Sequence, residues 1–222
     1  MNQVVTSWDE FEVGPEVVDE NEARREAWFA LRSGKLTCSH FSDLVKPGRA
    51  KEDDFTTAGY AYLRMKIAER FGSWHSISGP ALAWGTDNEI AAIVAYGMRT
   101  QQNVSQNEYG FVEYNSDIGG TPDALCGDDG CLEVKCPYNP AVHVQTLLSN
   151  TIPDNYLWQV IGHLLVTGRD WCDFCSFDPR MEDPHRLVII RHQRNESEIE
   201  FLKQRLELAM AWIAERMEKL ST

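Results

Sequence analysis

The feature that most constrains the fold is a β-hairpin signal between residues 120 and 137. Residues 120–126 and 131–137 predict two short strands, and the Gly-Asp-Asp-Gly segment at 127–130 predicts the turn that joins them. Glu133 and Lys135 are two apart on the second strand, so their side chains leave the same face of the hairpin. The intervening apolar residues point the other way, into a core.

Asp123 lies near the start of the first strand, directly after Pro122. Proline has no N–H, so this end of the strand cannot pair fully. Asp123 joins the face of Glu133 and Lys135 only if the turn has an odd number of residues or a bulge intervenes. If either condition holds, two carboxylates and an ammonium converge on one point.

This trio suits metal-assisted hydrolysis of a phosphodiester. Mg²⁺ prefers oxygen ligands and keeps several waters, so two carboxylates and a substrate phosphate satisfy it. The ion activates water and stabilises charge on phosphorus oxygens, and a lysine can orient that water. The alternative is an ordinary hairpin with a solvated Glu/Lys pair on its outer face.

Length and composition predict one globular domain over residues 1–222, with residues 1–18 as a loosely attached arm. No apolar segment approaches the roughly 20 residues of a membrane helix, and no secretory pattern opens the chain. The six cysteines lie mostly in predicted strands, which is typical of reduced thiols and of a cytoplasmic location. Cys172 and Cys175 could begin a zinc or iron–sulfur site, but a second close pair is missing.

The formal net charge is −13, which argues against a nonspecific coat on nucleic acid. A nuclease is still compatible with this charge, because a cation neutralises carboxylates at a metal site and a local basic groove can contact phosphate.

An anion site is one interpretation of the segment that links the first two predicted helices, at residues 19–31 and 41–45. Arg32 leaves the first helix before a glycine stop, and Ser39 or Thr37 is the expected cap of the second. The side chains of Arg32, Lys35, Thr37 and Ser39 meet at a helix N-terminus, where N–H groups favour an anion. The alternative is plain capping chemistry with solvated basic residues.

Two longer helices carry further candidates. The helix at 83–97 has Glu89 away from its apolar side, so this carboxylate matters only if the helix leans over the hairpin. In the helix at 156–166, Gln159 and His163 share a face at i, i+4. Polar residues in so apolar a helix face either solvent or a functional site. The alternative interpretation is a buried or surface glutamine with no functional role. The apolar side of the first of these helices is expected to comprise Trp84, Ile90, Ala91, Val94 and Ala95.

The order of the elements predicts helices around a central mixed sheet, hence an α/β or α+β fold. Six motifs, in their order, also resemble the phage lambda exonuclease family of viral recombinases. They are residues 31–39 (LRSGKLTCS), 84–89 (WGTDNE), 120–125 (GTPDAL), 132–137 (LEVKCP), 159–160 (QV) and 177–181 (FDPRM).

The resemblance implies a restriction-endonuclease-like fold with a PD-(D/E)XK core. It implies 5′→3′ degradation of one strand of linear double-stranded DNA, leaving a 3′ single-stranded tail for recombination. It also implies two Mg²⁺ ions, with Mn²⁺ able to substitute, and a homotrimeric ring that encloses the DNA end. Confinement in a ring explains how an acidic protein stays on DNA. A single-strand annealing protein is the implied partner, and the implied location is the cytoplasm of a bacterial host cell.

The resemblance also assigns residues. Asp123, Glu133 and the carbonyl of Val134 would bind the metal, and Glu89 would lie near the second ion. Lys135 would position the water, and Gln159 would support the catalytic residues from its helix. The implied 5′-phosphate pocket consists of Arg32, Thr37, Ser39 and Thr121.

The chain departs from the family pattern after Pro137, where the expected basic residue is missing and His143 is a candidate replacement. The region 101–117 aligns poorly, so Glu108 has no assigned role. Two other functions stay open at this stage. An endonuclease of the same fold would cut circular DNA, and a DNA-end-binding module would bind without catalysis, although an intact Asp123, Glu133 and Lys135 argue against the latter.

Overall fold

The computed structural model describes residues 20–50, 53–73, 79–107 and 110–221. The arm predicted for residues 1–18 lies outside these residues, as does Glu108.

A five-stranded mixed sheet forms the centre of the fold, in the order β2-β5-β6-β7-β8. Its β6 and β7 are parallel, and every other pair is antiparallel. A parallel pair needs a crossover, which here runs through two helices between β6 and β7. The strands are β2 (Val104–Gln106), β5 (Ala124–Cys126), β6 (Gly130–Lys135), β7 (Trp171–Phe177) and β8 (Leu187–Gln193).

A second sheet of three strands has the order β1-β4-β3, with β1 parallel and β3 antiparallel to β4. Its strands are β1 (Leu36–Thr37), β3 (Val112–Asn115) and β4 (Ile118–Gly120). The segment predicted as one strand over 120–126 therefore contains the end of β4 and all of β5, which belong to different sheets. Pro122 explains the break, because it cannot donate to a ladder.

Helices cover both faces of the five-stranded sheet, as predicted for the fold class. One core contains Cys131 and Cys172 of β6 and β7 with residues of α2, α3, α6 and α7, and a second contains Leu132 and Val134 with residues of α4. The helices are α1 (Glu20–Arg32), α2 (Phe41–Val45), α3 (Thr57–Arg70), α4 (Pro80–Thr100), α5 (Pro140–Ser149), α6 (Asp154–Thr167) and α7 (Glu196–Leu220).

The orientation of α4 differs from the prediction. Its buried residues are Ala92, Ile93 and Tyr96, whereas Ile90 and Val94 are 59% and 55% exposed. The helix is apolar around most of its circumference, so the pattern does not specify one face. The tyrosine hydroxyl donates to the buried carboxylate of Asp173 on β7 at 2.7 Å, which fixes the rotation.

The six cysteines are free thiols, and all except Cys136 are buried. Within the described ranges, no helix combines the length and apolar character needed to cross a bilayer.

Candidate active site

The β5–β6 hairpin meets the condition that brings Asp123 to the face of Glu133. Cys126 pairs with Gly130, so three residues, 127–129, form the turn rather than the four predicted. An odd turn leaves Asp123 opposite Glu133, and the N–H of Asp123 donates to the carbonyl of Leu132 at 3.0 Å. The two carboxylates therefore leave the same face of the hairpin.

Hydrogen bonds fix the side chains of this face. The N–H of Val134 donates to Oδ2 of Asp123 at 2.6 Å. Lys135 Nζ donates to Glu133 Oε1, and the glutamate side chain is only 1% exposed. Because Glu133 is buried, a solvated Glu/Lys pair is not the correct interpretation of the hairpin.

Glu133 has a second partner on α6. The His163 Nε2 lies 2.7 Å from Glu133 Oε2, and both side chains are 1% exposed. Burial alone would raise the pKa of the glutamate, but Lys135 and His163 hold that pKa below its usual value. Glu133 is therefore held as a carboxylate before any cation binds.

Asp123 shows the opposite shift. Burial raises its pKa well above the usual value, and the nearby charges of Glu133 and Glu89 raise it further, against the effect of Lys135. Glu89 reaches this point because the first half of α4 does lean over the end of the hairpin. The structure thus brings Glu89, Asp123, Glu133 and Lys135 together.

A cavity of about 340 Å³, here called the β6 cavity, opens beside these residues. Glu89, Asp123, Val134, Lys135 and Tyr156 are among its lining residues. A hard divalent cation fits this site, because oxygen ligands lie on two sides of it. Its charge would also stabilise the carboxylate of Asp123, which the acidic neighbours destabilise. Among the described residues no three Asp, Glu, His or Cys side chains converge closely enough to hold an ion alone, so a backbone carbonyl, water and substrate phosphate would complete its coordination.

A second, smaller cavity of about 100 Å³, here called the α1 cavity, contains all four residues predicted to bind the 5′-phosphate. Arg32, Thr37, Ser39 and Thr121 line it. Trp28, which was not predicted to contribute to this pocket, lines it as well.

The walls of the α1 cavity are held by specific contacts. The Arg32 guanidinium lies 4.1 Å from the centre of the Trp28 ring, and the indole N–H donates to Thr121 Oγ1 at 2.9 Å. The N–H of Thr37 donates to the Tyr62 hydroxyl at 2.8 Å. These contacts preorganise the arginine and the threonines around a space that is the size of a small anion.

The predicted helix cap is wrong. Residues Cys38–His40 form a turn of 3₁₀ helix before α2, and neither Thr37 nor His40 makes a side-chain capping bond at the starts of these helices. Thr37 instead pairs through β1, and its Oγ1 lies 3.4 Å from Ser39 Oγ. Plain capping therefore does not account for these hydroxyls.

Gln159 and His143 were also candidates. Gln159 is 8% exposed and lines the α1 cavity with His163, so it does not belong to the lining of the β6 cavity. His143 does not line the α1 cavity, so it does not replace the missing basic residue. Its ring bonds to Ser176 Oγ at 2.7 Å and to the carbonyl of His185 at 2.8 Å, which are structural contacts.

Sequence reasoning noted the shared face of Gln159 and His163 but gave the histidine no role. The available signal was an i, i+4 polar pair in an otherwise apolar helix. Its contact with Glu133 depends on how α6 packs on β6, which a single sequence does not contain.

Comparison with solved structures identifies this architecture. The chain is 29% identical to an alkaline exonuclease, LHK-Exo, from Laribacter hongkongensis, with a TM-score of 0.79 over 88% of this chain and 96% of that one. The same exonuclease in complex with dAMP gives 29% identity and a TM-score of 0.80, over 88% and 95% of the two chains. A phage-related exonuclease from Haemophilus somnus 129PT shares the fold at 16% identity, with a TM-score of 0.70 over 84% and 96%.

These similarities confirm the restriction-endonuclease-like fold and support a nuclease role. Among curated protein sequences, none matches this chain. The model of the YqaJ-like viral recombinase domain matches residues 27–170, well over half of the chain. This match also confirms the predicted relationship to the phage exonucleases, and the chain belongs to the YqaJ-like viral recombinase family.

Proposed function

We propose that the protein is a Mg²⁺-dependent 5′→3′ exonuclease that degrades one strand of linear double-stranded DNA and leaves a 3′ single-stranded tail for recombination. The observation that carries this proposal is the convergence of Asp123, Glu133 and Lys135 on one face of the hairpin, beside the β6 cavity. The family and the structural similarity to exonucleases support it.

Each residue of the β6 cavity has a role in this proposal. Asp123, Glu133 and the Val134 carbonyl would hold one divalent ion, and Glu89 would lie beside a second. When bound, the ions would activate water and neutralise charge on the scissile phosphate. Lys135, whose pKa the two carboxylates raise, stays protonated and donates to the attacking water and the phosphate oxygens.

The α1 cavity would bind the 5′-terminal phosphate and set the polarity of digestion. Arg32 supplies a fixed positive charge with several N–H donors, and Thr37, Ser39 and Thr121 supply hydroxyl groups. Gln159 lies in the same cavity, on the helix that also carries His163. A strand anchored at its end would present its first phosphodiester to the β6 cavity.

The test is a digest of linear and nicked-circular duplex DNA, each with and without Mg²⁺. We expect the linear duplex to lose nucleotides from its 5′ ends only when Mg²⁺ is present. Cleavage of a closed circular duplex would favour the endonuclease alternative. Binding to DNA ends without hydrolysis in Mg²⁺ or Mn²⁺ would favour the non-catalytic module.

Assembly belongs to the same proposal. The resemblance to the lambda exonuclease family supports a homotrimeric ring around the DNA end. It also supports a single-strand annealing protein as the partner that receives the 3′ tail. Exposed apolar side chains on α4, those of Ile90, Val94 and Met98, support association between copies of the chain.

A further inference from the structure

Two charged side chains of α3, those of Lys66 and Glu69, are buried although neither has a role in the proposed reaction. They are 6% and 7% exposed, and the Lys66 ammonium donates to both carboxylate oxygens of Glu69, at 2.9 and 2.8 Å. Burial of an ion pair is costly, and apolar residues of similar volume are often as stabilising. Stability alone therefore does not explain this pair.

The carboxylate of Glu69 has another donor, which belongs to the chain that leaves α1. The N–H of Gly34 donates to Glu69 Oε2 at 2.7 Å. The next residue of α3, Arg70, binds the other polar group of the same glycine, since its Nε donates to the Gly34 carbonyl at 2.9 Å. The backbone N–H and the backbone carbonyl of Gly34 are therefore both held by α3.

Gly34 forms the turn between Arg32 and Thr37, which line the α1 cavity from two sides. Its φ of +72° lies in the left-handed region, which favours glycine, and a Cβ atom would lie 2.7 Å from Cγ of Arg70. Across the turn, the N–H of Lys35 donates to the carbonyl of Arg32 at 3.2 Å. The end of α1 that carries the arginine is thus fixed to the turn, and the turn is fixed to α3.

The same helix holds the threonine side of the α1 cavity. The Tyr62 hydroxyl, one turn before Lys66 on α3, accepts from the N–H of Thr37 at 2.8 Å. One helix therefore positions both the arginine and the threonine around the small space between them.

Lys66 also balances the charge of Glu69. Burial lowers the pKa of Arg32, and the nearby charge of Glu69 opposes this effect, so the carboxylate acts on the arginine. A carboxylate alone behind the α1 cavity would repel a phosphate and compete with it for Arg32. Because the ammonium of Lys66 neutralises Glu69, the guanidinium remains the net positive charge at this site.

We propose that Glu69 and Arg70 are positioning residues for the 5′-phosphate pocket: they hold the N–H and the carbonyl of Gly34, and so direct Arg32 toward a phosphate in the α1 cavity. Lys66 supplies the charge that allows a carboxylate to lie there. The inference deepens the proposed function and rests on its assignment of the α1 cavity to the 5′ end. None of the three side chains lines that cavity, so they act through Arg32 and not on the DNA itself.

Two double variants separate the hydrogen bond to Gly34 from the buried charges. Lys66→Met with Glu69→Leu replaces the ion pair by apolar side chains of similar size, which often preserves stability, and removes the acceptor for the Gly34 N–H. Lys66→Met with Glu69→Gln also removes both charges, but its amide oxygen can still accept from Gly34. Lys203→Met with Glu200→Leu is the matched control, because it removes an i,i+3 pair of α7 whose residues line neither cavity.

Binding is measured without turnover, by fluorescence anisotropy in Ca²⁺ with 5′-phosphorylated and 5′-hydroxyl duplexes. We expect the double variant with Glu69→Leu to reduce the preference for the phosphorylated end about tenfold, and to bind the hydroxyl end within about twofold of the wild type. The double variant with Glu69→Gln should keep the preference within about threefold. The control should match the wild type on both ends. A general loss of structure would instead weaken binding to both kinds of end.

Arg70→Met decides the question if the double variant with Glu69→Leu does not melt cooperatively. The Arg70 side chain is 22% exposed, and its substitution leaves the buried ion pair in place. Loss of its bond to the Gly34 carbonyl should reduce the preference for the phosphorylated end about three- to tenfold. Asp117→Asn is the control for this variant, because Arg70 also donates to Asp117 Oδ1 at 2.7 Å. It should keep the preference of the wild type.

The inference is overturned if the double variant with Glu69→Leu melts cooperatively and keeps the full preference, or if Arg70→Met keeps it. Equal losses in the two double variants also overturn it, because the bond to Gly34 would then not be the cause. A wild type that digests linear duplex but binds both kinds of end equally overturns the inference and leaves the nuclease function intact. A wild type that prefers the phosphorylated end without digesting DNA in Mg²⁺ contradicts the proposed function, whereas the inference stands if the variants behave as expected.

Discussion

At the scale of single residues, the candidate active site contains a buried glutamate held by a lysine and a histidine. Glu133 is bonded to Lys135 and His163 and is 1% exposed. The spacing of Glu133 and Lys135 could be predicted from the sequence, because alternation along a strand is a local property. The contact with His163 could not, because it joins residues 30 apart whose distance is set by helix packing.

The first prediction tests this glutamate. Glu133→Gln keeps the shape of the side chain and removes its charge, so it should lower Mg²⁺-supported release of nucleotides at least about a hundredfold. Binding of duplex DNA in Ca²⁺ should change little. Asp128→Asn, in the exposed turn of the same hairpin, is the control and should digest DNA like the wild type. Glutamine is preferred to alanine because truncation would leave Lys135 and His163 buried without their partner.

Activity of Glu133→Gln within a few-fold of the wild type, measured on linear duplex at saturating Mg²⁺, would show that the glutamate does not serve the reaction.

The second prediction concerns Arg32 and the terminal phosphate. Arg32→Ala should slow digestion of 5′-phosphorylated duplex about ten- to a hundredfold, which corresponds to the loss of a charged hydrogen bond, and should affect 5′-hydroxyl duplex much less. Arg32→Lys should restore activity only partly, because an ammonium lacks the planar geometry of the guanidinium. Arg25→Ala, on the same helix and outside the lining of the α1 cavity, is the control.

Equal losses on the two kinds of end would mean that Arg32 acts through the packing of Trp28 and not through the phosphate.

At the scale of secondary-structure elements, the strands of the hairpin were easier to predict than the faces of the helices. Side chains alternate along β6, and Leu132 and Val134 lie in a core as predicted. In α4 the pattern did not identify the buried side, because apolar residues surround the helix. The rotation is decided by a long-range bond between Tyr96 and Asp173. The strand predicted around Pro122 is broken for a local reason, because proline cannot donate to a ladder. The sequence contained no sign that the two resulting strands belong to different sheets.

The third prediction tests how the loop after β7 supports the end of β6. Asp178 is buried and accepts hydrogen bonds from the side chain of Arg180 at 2.7 and 2.8 Å, and the same guanidinium donates to the carbonyls of Pro137 and Tyr138. The hydrogen bonds from Arg180 hold the pKa of Asp178 below its usual value of about 4. The chain directly after the active-site strand is therefore fixed by an ion pair.

The sign of the pH effect follows from this lowered pKa. The stabilisation is fully present above the ordinary pKa of about 4 and is lost as pH falls through the lower folded-state value. Asp178→Asn should thus lower the urea midpoint at pH 7, and the difference from the wild type should shrink as pH approaches 3. Asp183→Asn, at a more exposed ion pair in the same loop, is the control. A difference that is independent of pH would show that the bonds of Asp178 do not require its charge.

At the scale of the whole molecule, an acidic protein must hold an acidic substrate. The formal net charge is −13, so nonspecific attraction does not retain DNA. Arg32 supplies local positive charge in the α1 cavity, but one anchored phosphate does not keep a protein on a strand whose end recedes. The proposed enclosure of the duplex by several copies of the chain would solve this problem without a basic surface.

The surface of α4 is suited to such an assembly. Ile90, Val94 and Met98 are four residues apart, so they lie on one side of the helix, and they are 59%, 55% and 79% exposed. Contiguous exposed apolar side chains are unusual in a monomer and mark interaction surfaces. Two residues of this ridge, Ile90 and Val94, belong to the side of α4 that the sequence pattern assigned to the core. A helix that is apolar on both sides is expected where one side packs within the chain and the other packs against a second copy.

The last prediction is that the protein is a homotrimer of 25.3 kDa chains and that this ridge is covered in the trimer. Ile90→Lys with Val94→Lys should dissociate the assembly, because two charges would be buried without partners. The double variant should keep the thermal stability of its own fold, since both positions are exposed within one chain.

Sedimentation velocity of wild type and variant measures the outcome, with Leu220→Lys, 63% exposed at the end of α7, as the control. A wild type that sediments as a single chain at working concentration would contradict the trimer, whereas a trimeric double variant would place the interface elsewhere. Digestion of long duplexes should fall with the loss of the assembly while release of the first nucleotides persists, because each chain carries its own hairpin and both cavities.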